Sequence, residues 1–213
     1  MITELKLQNS GIPDMQFQFR YHNDLIYTGF TAGYKILQPR TETAANEKTT
    51  ETIGSFNFQA FAKLTTNSVI VKVEGIYGEN LSHLIMLGGY GASLDDIIAG
   101  ENDYSYVNLK TLSLWSEVIT NFEKLNGAIF FGYSQNLGAK DDYVSLGYAI
   151  GEDIHSIMRI SPRVQYTSGK LTFILEHMMT SAVYATFDNK HKADVKADPT
   201  FNQRIQLGAI YSF

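Results

Sequence analysis

Alternation with a period of two runs through most of this chain, and it leaves few folds open. The last ten residues, RIQLGAIYSF, carry it plainly. Ile205, Leu207, Ala209, Tyr211 and Phe213 form an apolar row, and Arg204, Gln206, Gly208 and Ser212 form a polar row interrupted by Ile210. Successive side chains of a strand point to opposite faces, so the segment reads as a strand with one apolar and one polar face. DMQFQFRY sets Met15, Phe17, Phe19 and Tyr21 against Gln16, Gln18 and Arg20. LIYTGFTAGYKI sets Ile26, Phe30, Ala32, Tyr34 and Ile36 against Tyr27, Gly29, Thr31, Gly33 and Lys35. GSFNFQAFAKL opposes Phe56, Phe58, Ala60, Ala62 and Leu64 to Ser55, Asn57, Gln59 and Lys63. VIVKVEGIYG opposes Val69, Val71, Val73 and Tyr77 to Lys72 and Glu74. GAIFFGYSQ, IMRISPRVQY and KLTFILEHM follow suit.

Strands are expected near 2–8, 14–22, 25–37, 52–64, 68–80, 106–120, 127–137, 154–167, 170–186 and 201–213, ten in all. In NLKTLSLWSEVIT the register stays open, because Leu114 and Trp115 compete for the apolar face. Pro162 has no N–H to give a ladder, so a bulge is expected inside the strand that holds it. The links HND, TTNS, NFEKLN and TSGK are short. Alternating with them are LQPRTETAANEKTT, residues 81–105, residues 136–153 and DNKHKADVKADPT, all long and polar; only NSGIPD, the first, is short for its side. Short turns at one end and long loops at the other describe an all-β, antiparallel up-and-down transmembrane β-barrel. Residues 1–213 are read as a single barrel domain or as the C-terminal part of a larger barrel.

Composition agrees with strands. The chain has thirteen Tyr, thirteen Phe, seventeen Gly and only four Pro, which suits strands and turns. It has no cysteine, so disulfides and thiol chemistry are excluded. A net charge of −5 argues against nucleic acid as a partner. No apolar run approaches the roughly 18 residues of a membrane helix, yet a spanning strand needs only about 9–11 alternating residues. MITELKLQNSG lacks a basic region followed by an apolar core, so it is not read as a secretory signal. Either Met1 starts the mature protein or sequence upstream of it is missing.

The aromatic tail resembles the C-terminal insertion signal of Gram-negative outer-membrane proteins, whose assembly machinery reads the last strand. NSGIPDMQFQFRYH, GSFNFQAFAKL and RISPRVQYTSGK are similar to the C-terminal part of DcaP-like porins, which are appreciably longer than this chain. The resemblance implies residence in the bacterial outer membrane, with outer-membrane lipid and the assembly machinery as partners. It also implies passive diffusion of small polar solutes, with homo-oligomerisation left open. Ile205, Leu207, Ala209, Tyr211 and Phe213 are the implied assembly signal.

If the apolar faces meet lipid, the other rows line a lumen. Arg20, Lys35, Lys63, Lys72, Arg159, Arg163 and Arg204 lie there with Glu74, Glu117 and Glu176, seven basic residues against three acidic. A basic excess favours anions, although arginine and glutamate can equally brace the wall. Folding the hairpin about TSGK sets Glu176 diagonally between Arg159 and Arg163. Two other readings stay open. A soluble barrel holding an apolar ligand would turn the same apolar rows inward, but its surface would carry more charge than these polar rows do. An outer-membrane hydrolase would use an acidic and histidine mouth built from Asp95, Asp96, Asp141, Asp142, Asp153 and His155, where carboxylate and imidazole activate water. Solvated loop acids explain the same residues, so no enzyme and no catalytic set are expected. GGYGAS lacks the lysine and helix of a phosphate loop and reads as a turn or bulge. His22, His83, His177 and His191 show no metal spacing, so neither metal nor cofactor is expected.

The tail yields a test. Replacing Phe213 with serine is expected to lower the folded yield in the outer membrane of cells far more than it lowers stability in detergent. A terminal aromatic buries little area, yet it sits where the recognition signal ends. Folded and unfolded bands on unheated gels measure the yield, and an unchanged yield contradicts the assignment.

Overall fold

The computed structural model describes residues 2–100 and 103–213. Helix α1 (Ile2–Ser10) comes first. Strands β1 (Met15–His22), β2 (Ile26–Leu37), β3 (Ile53–Thr65) and β4 (Val69–Glu79) follow. A 3₁₀ turn (Leu81–Leu84), β5 (Gly88–Ser93) and helix α2 (Leu94–Ile98) precede β6 (Tyr106–Thr120) and β7 (Leu125–Ala139). The chain ends with β8 (Tyr143–Ile150), β9 (Ile154–Ser168), β10 (Leu171–Phe187), β11 (Ala193–Lys196) and β12 (Thr200–Tyr211). The fold is all-β. Twelve strands form one antiparallel sheet, in which β1-β2-β3-β4-β6-β7-β9-β10-β12 is an up-and-down meander. The sheet is open, and among the described residues β1 and β12 each pair along one side only.

Turn chemistry keeps one end short. Asn23 Oδ1 accepts the amides of Leu25 and Ile26 at 3.0 and 2.7 Å, closing the β1–β2 turn. Thr66 Oγ1 accepts the Val69 amide at 3.0 Å, and Gly169 turns β9 into β10 at φ 58°. These are Asx and Ser/Thr turns and a left-handed glycine, each the local solution its residue favours. The ladders then align the faces. Phe19, Phe30, Ala60, Gly75, Leu114, Tyr133 and Met158 follow one another as cross-strand partners from β1 to β9. Leu114 therefore takes the apolar face, and Trp115 takes the polar face, its ring stacked 5.9 Å from Phe130.

Apolar side chains on this face are not a core: Phe17 is 61%, Phe201 71% and Leu207 77% exposed. Among the described residues a small core exists only at the long-loop end, where Leu37, Ile53 and Tyr90 meet Leu7, Tyr106 and Tyr148. There α1, the 3₁₀ turn and β5 cover the polar face. Thr111 Oγ1 donates to Leu87 O at 2.7 Å, Ser55 Oγ to Asn108 Oδ1 at 2.9 Å, and Gln38 N to Lys6 O at 3.0 Å.

Four expectations are corrected. Residues 2–8 form α1, because TELKLQ is rich in helix formers and Gly11 at φ 66° and Pro13 stop it. GGYGAS is strand β5 rather than a turn, with the expected irregularity as register shifts against β8 at Tyr90/Gly91 and Ala92/Ser93; a Cβ on Gly89 would lie 1.9 Å from Tyr148 O, so only glycine lets β5 and β8 come this close. With β8 and β11 inside stretches read as loops, the count is twelve strands where ten were expected. Pro162 makes no bulge. Pairing of β9 with β10 skips from Arg163–Glu176 to Ile160–Met179 in unchanged register, so the gap falls where proline has no N–H to donate.

The charged face as candidate functional site

All ten charged residues expected on the polar rows share one face of the sheet. Ladder partners Tyr27, Lys63, Lys72, Glu117, Phe130 and Ser161 define it. Arg20, Lys35, Glu74, Arg159, Arg163, Glu176 and Arg204 stand at even offsets along their strands from that row or its partners. Ile205, Leu207, Ala209 and Tyr211 occupy the opposite face, and Phe213 follows the strand fully exposed.

The centre of the face is an ionic bridge. Lys63 and Lys72 are directly opposed, an arrangement that repels. Glu117 compensates it: Oε2 accepts from Lys72 Nζ at 2.9 Å and Oε1 from Arg163 Nη2 at 2.7 Å. Glu117 is 8% exposed while its partners are half-buried, so its charge is held by two cations. Bracing therefore runs through Glu117 and skips Glu176. Glu176 lies directly opposite Arg163 and Gln206, while Arg163 turns the other way across β7. Arg159 Nε donates to Thr180 Oγ1 at 3.0 Å, so the expected diagonal bridge from Glu176 is absent among the bonds these residues make. Arg20 Nε donates to Gln18 Oε1 at 2.6 Å, Glu74 stands between Phe61 and Trp115 on adjacent strands, and Arg204 faces Met178.

Lys35 differs from the rest. It is 1% exposed, and Nζ donates to Asn80 O at 2.5 Å while sitting 2.7 Å from His83 Nδ1. It tethers the 3₁₀ turn to the sheet, and burial together with the Lys35 charge holds the His83 imidazole below its usual pKa.

Alternation could not point to the residues of the long-loop end. Lys6 donates through Nζ to the Tyr90 hydroxyl and lies over the Tyr148 ring at 5.5 Å. Arg40 stacks on Tyr104 at 3.7 Å and bonds Asp103 at 2.9 Å. His191, in the β10–β11 turn, is 2% exposed at φ 54°. It stacks flat on Phe187 at 4.1 Å, and its Nδ1 lies 2.5 Å from the Tyr143 hydroxyl. Burial, opposed by Asp188, pushes its pKa down to about 4. Two of the mouth acids are engaged locally. Asp96 Oδ2 accepts the Ser105 amide at 2.7 Å, and Asp142 lies 4.0 Å from Lys190. Among the described residues no group of three or more His, Asp or Glu is placed to hold a metal.

No protein family, curated protein sequence or solved structure matches the chain.

Two predictions follow from these contacts. Glu117→Gln leaves two half-buried cations without their counter-charge and is expected to cost about 1–3 kcal/mol in denaturant unfolding. Glu176→Gln is expected to stay within about 0.5 kcal/mol, as surface changes do. Equal effects contradict the bridge. For His191, the folded pKa lies below the unfolded value near 6.5, so the unfolded chain binds the extra proton in that window. Its stabilising contribution is complete above about pH 6.5 and is lost as pH falls toward 4. Amide protection of residues 188–192, corrected for intrinsic exchange, is expected to fall across that window, and His191→Gln is expected to flatten the fall.

Proposed function

We propose that this chain builds the wall of an outer-membrane β-barrel channel through which small polar, mainly anionic, solutes diffuse. One observation carries the reading: nine consecutive strands present an exposed apolar face and a charged face, with no core along most of their length. In water so large an apolar surface is untenable, since monomeric soluble proteins rarely expose more than a few hundred Å² in one patch. Against hydrocarbon it needs no cover. Strands β6, β7 and β9 have 15 residues each and β10 has 17, or about 50 Å at 3.3 Å per residue. A tilt near 45° brings that to about 35 Å, enough for a belt about 25 Å tall. Exposed aromatics lie near both strand ends, with Tyr21, Tyr166 and Tyr211 at the short-turn end and Tyr34, Phe56 and Tyr77 toward the other. Aromatic girdles at membrane interfaces have this placement. A soluble carrier would need the same rows enclosed.

Charge on the lumen side selects the sign of the solute. Lys35 is buried, and Lys72 and Arg163 share Glu117. Arg20, Lys63, Arg159 and Arg204 then stand against Glu74 and Glu176, four cations to two carboxylates. A narrow low-dielectric pore amplifies such an excess, and guanidinium groups match carboxylate and phosphate geometry. At the long-loop end α1, the 3₁₀ turn and β5 narrow the path. Outer-membrane lipid and the assembly machinery are the partners this reading requires.

Zero-current potential across a planar bilayer under a salt gradient tests it. Anion preference is expected from the native protein, and changing Arg159, Arg163 and Arg204 together to glutamine is expected to move the potential toward zero. Cation preference, or no shift in the triple variant, contradicts the selectivity; absence of any conductance contradicts the channel.

A further inference from the structure

The two edges of the sheet run in the same direction. β1 enters the tight 23–25 turn, so it finishes at the short-turn end. β10 starts from the 169–170 turn at that same end, and β12 is antiparallel to β10, so β12 also finishes there. An up-and-down meander of nine strands must end this way. Joining β1 to β12 would make a parallel pair, and a second copy in the same membrane orientation offers only the same two directions. Neither can complete an antiparallel wall.

Self-closure also leaves too little room. Eight strands enclose an interior just wide enough for their own side chains, and nine add little. Here the polar face already carries α1, the 3₁₀ turn and β5, bonded to Lys35, Thr111 and Gln38. The edges themselves are lightly guarded, each with a single charged residue, Arg20 on β1 and Arg204 on β12, both on the polar face. MQFQFRYH and TFNQRIQLGAIY contain no proline, and their ladders to β2 and β10 show no bulge. Proteins blunt an edge that is to stay free with such devices. The apolar row instead runs through to both edges, Phe19 at 52% and Ile205 at 73% exposed.

Resting on the barrel-wall reading above, we infer that the wall is completed by an odd number of further antiparallel strands outside residues 1–213. The strand on the β1 edge is supplied by polypeptide on the N-terminal side of α1. A strand antiparallel to β1 finishes at the long-loop end, which is where α1 packs against Leu37 and Tyr90 through Leu7 and Lys6. Helix α1 thereby takes the place of a long loop between that strand and β1.

Photo-crosslinking tests this on the full-length protein in cells. Benzoylphenylalanine is placed in turn at Gln16, Arg20 and Gln206, and adduct peptides are identified by mass spectrometry from membrane and soluble fractions. Expected are membrane-bound protein and adducts from all three sites to peptides outside residues 1–213. Those from Gln16 and Arg20 should fall in reversed order along one peptide. Adducts between β1 and β12, within a copy or between copies, overturn the closure while leaving the wall reading intact. Adducts in parallel order, or none from any site, also overturn it. Recovery in the soluble fraction overturns both.

Discussion

A slip of one residue in any ladder of this sheet would carry a whole strand's apolar row to the charged face. Register is therefore the constraint on which everything else rests. Tight turns set it locally, with Asn23, Thr66 and Gly169 fixing how each hairpin begins. Side chains lock it across strands. Glu117 reaches both Lys72 on β4 and Arg163 on β9, so one carboxylate ties four adjacent strands through β6 and β7. Glycine notches act the same way. A Cβ on Gly75 would meet Leu114 at 2.8 Å and one on Gly29 would meet Phe61 at 2.8 Å, so each glycine receives a side chain from the adjacent strand.

With register held, the sheet separates two environments, and its packing follows from that. Ordinary domains bury one face of a sheet against another layer. Among the described residues layering occurs only at the long-loop end, around Tyr90, where Lys6 and Lys35 make their hydrogen bonds. Elsewhere the stabilising terms include backbone ladders, cross-strand aromatic pairs such as Phe30–Phe58, and the ionic bridge. A structure of that kind depends on its surroundings to satisfy the apolar face, and the proposed bilayer does so.

Strands were legible because alternation is a direct projection of the pleat onto the sequence. Even the ambiguous β6 is resolved simply, by Trp115 finding Phe130 on the polar face. Legibility failed where tertiary contacts override local pattern. GGYGAS looks like a turn, but its missing side chains are what let Tyr148 and Ala149 approach as a ladder. MITELKLQ can alternate or coil, and its contacts with Gln38 and Tyr90 accompany the helix. Glu176 was the nearer carboxylate along the hairpin, yet Arg163 turns to Glu117, two strands away and 46 residues earlier. His191 carried no spacing signal, because its role depends on a stack with Phe187 and a bond with Tyr143.

The net charge and the proposed selectivity point in opposite directions, and distance decides between them. Of seventeen basic and twenty-two acidic residues, the ten charged-face residues take seven and three, leaving ten and nineteen elsewhere in the chain. Asp95, Asp96, Asp141, Asp142 and Asp153 crowd the long-loop end and would repel an approaching anion. Those carboxylates face bulk water, where at physiological ionic strength a charge is felt over about 8 Å. Arg159 and Arg204 act inside the proposed pore, where low-dielectric walls focus the field and leave few ions to screen it. In the proposed pore a solute would cross the acidic mouth through screened potential but would pass the basic face along much of a strand's length. On that proposal the wall, rather than the mouth, sets which sign passes.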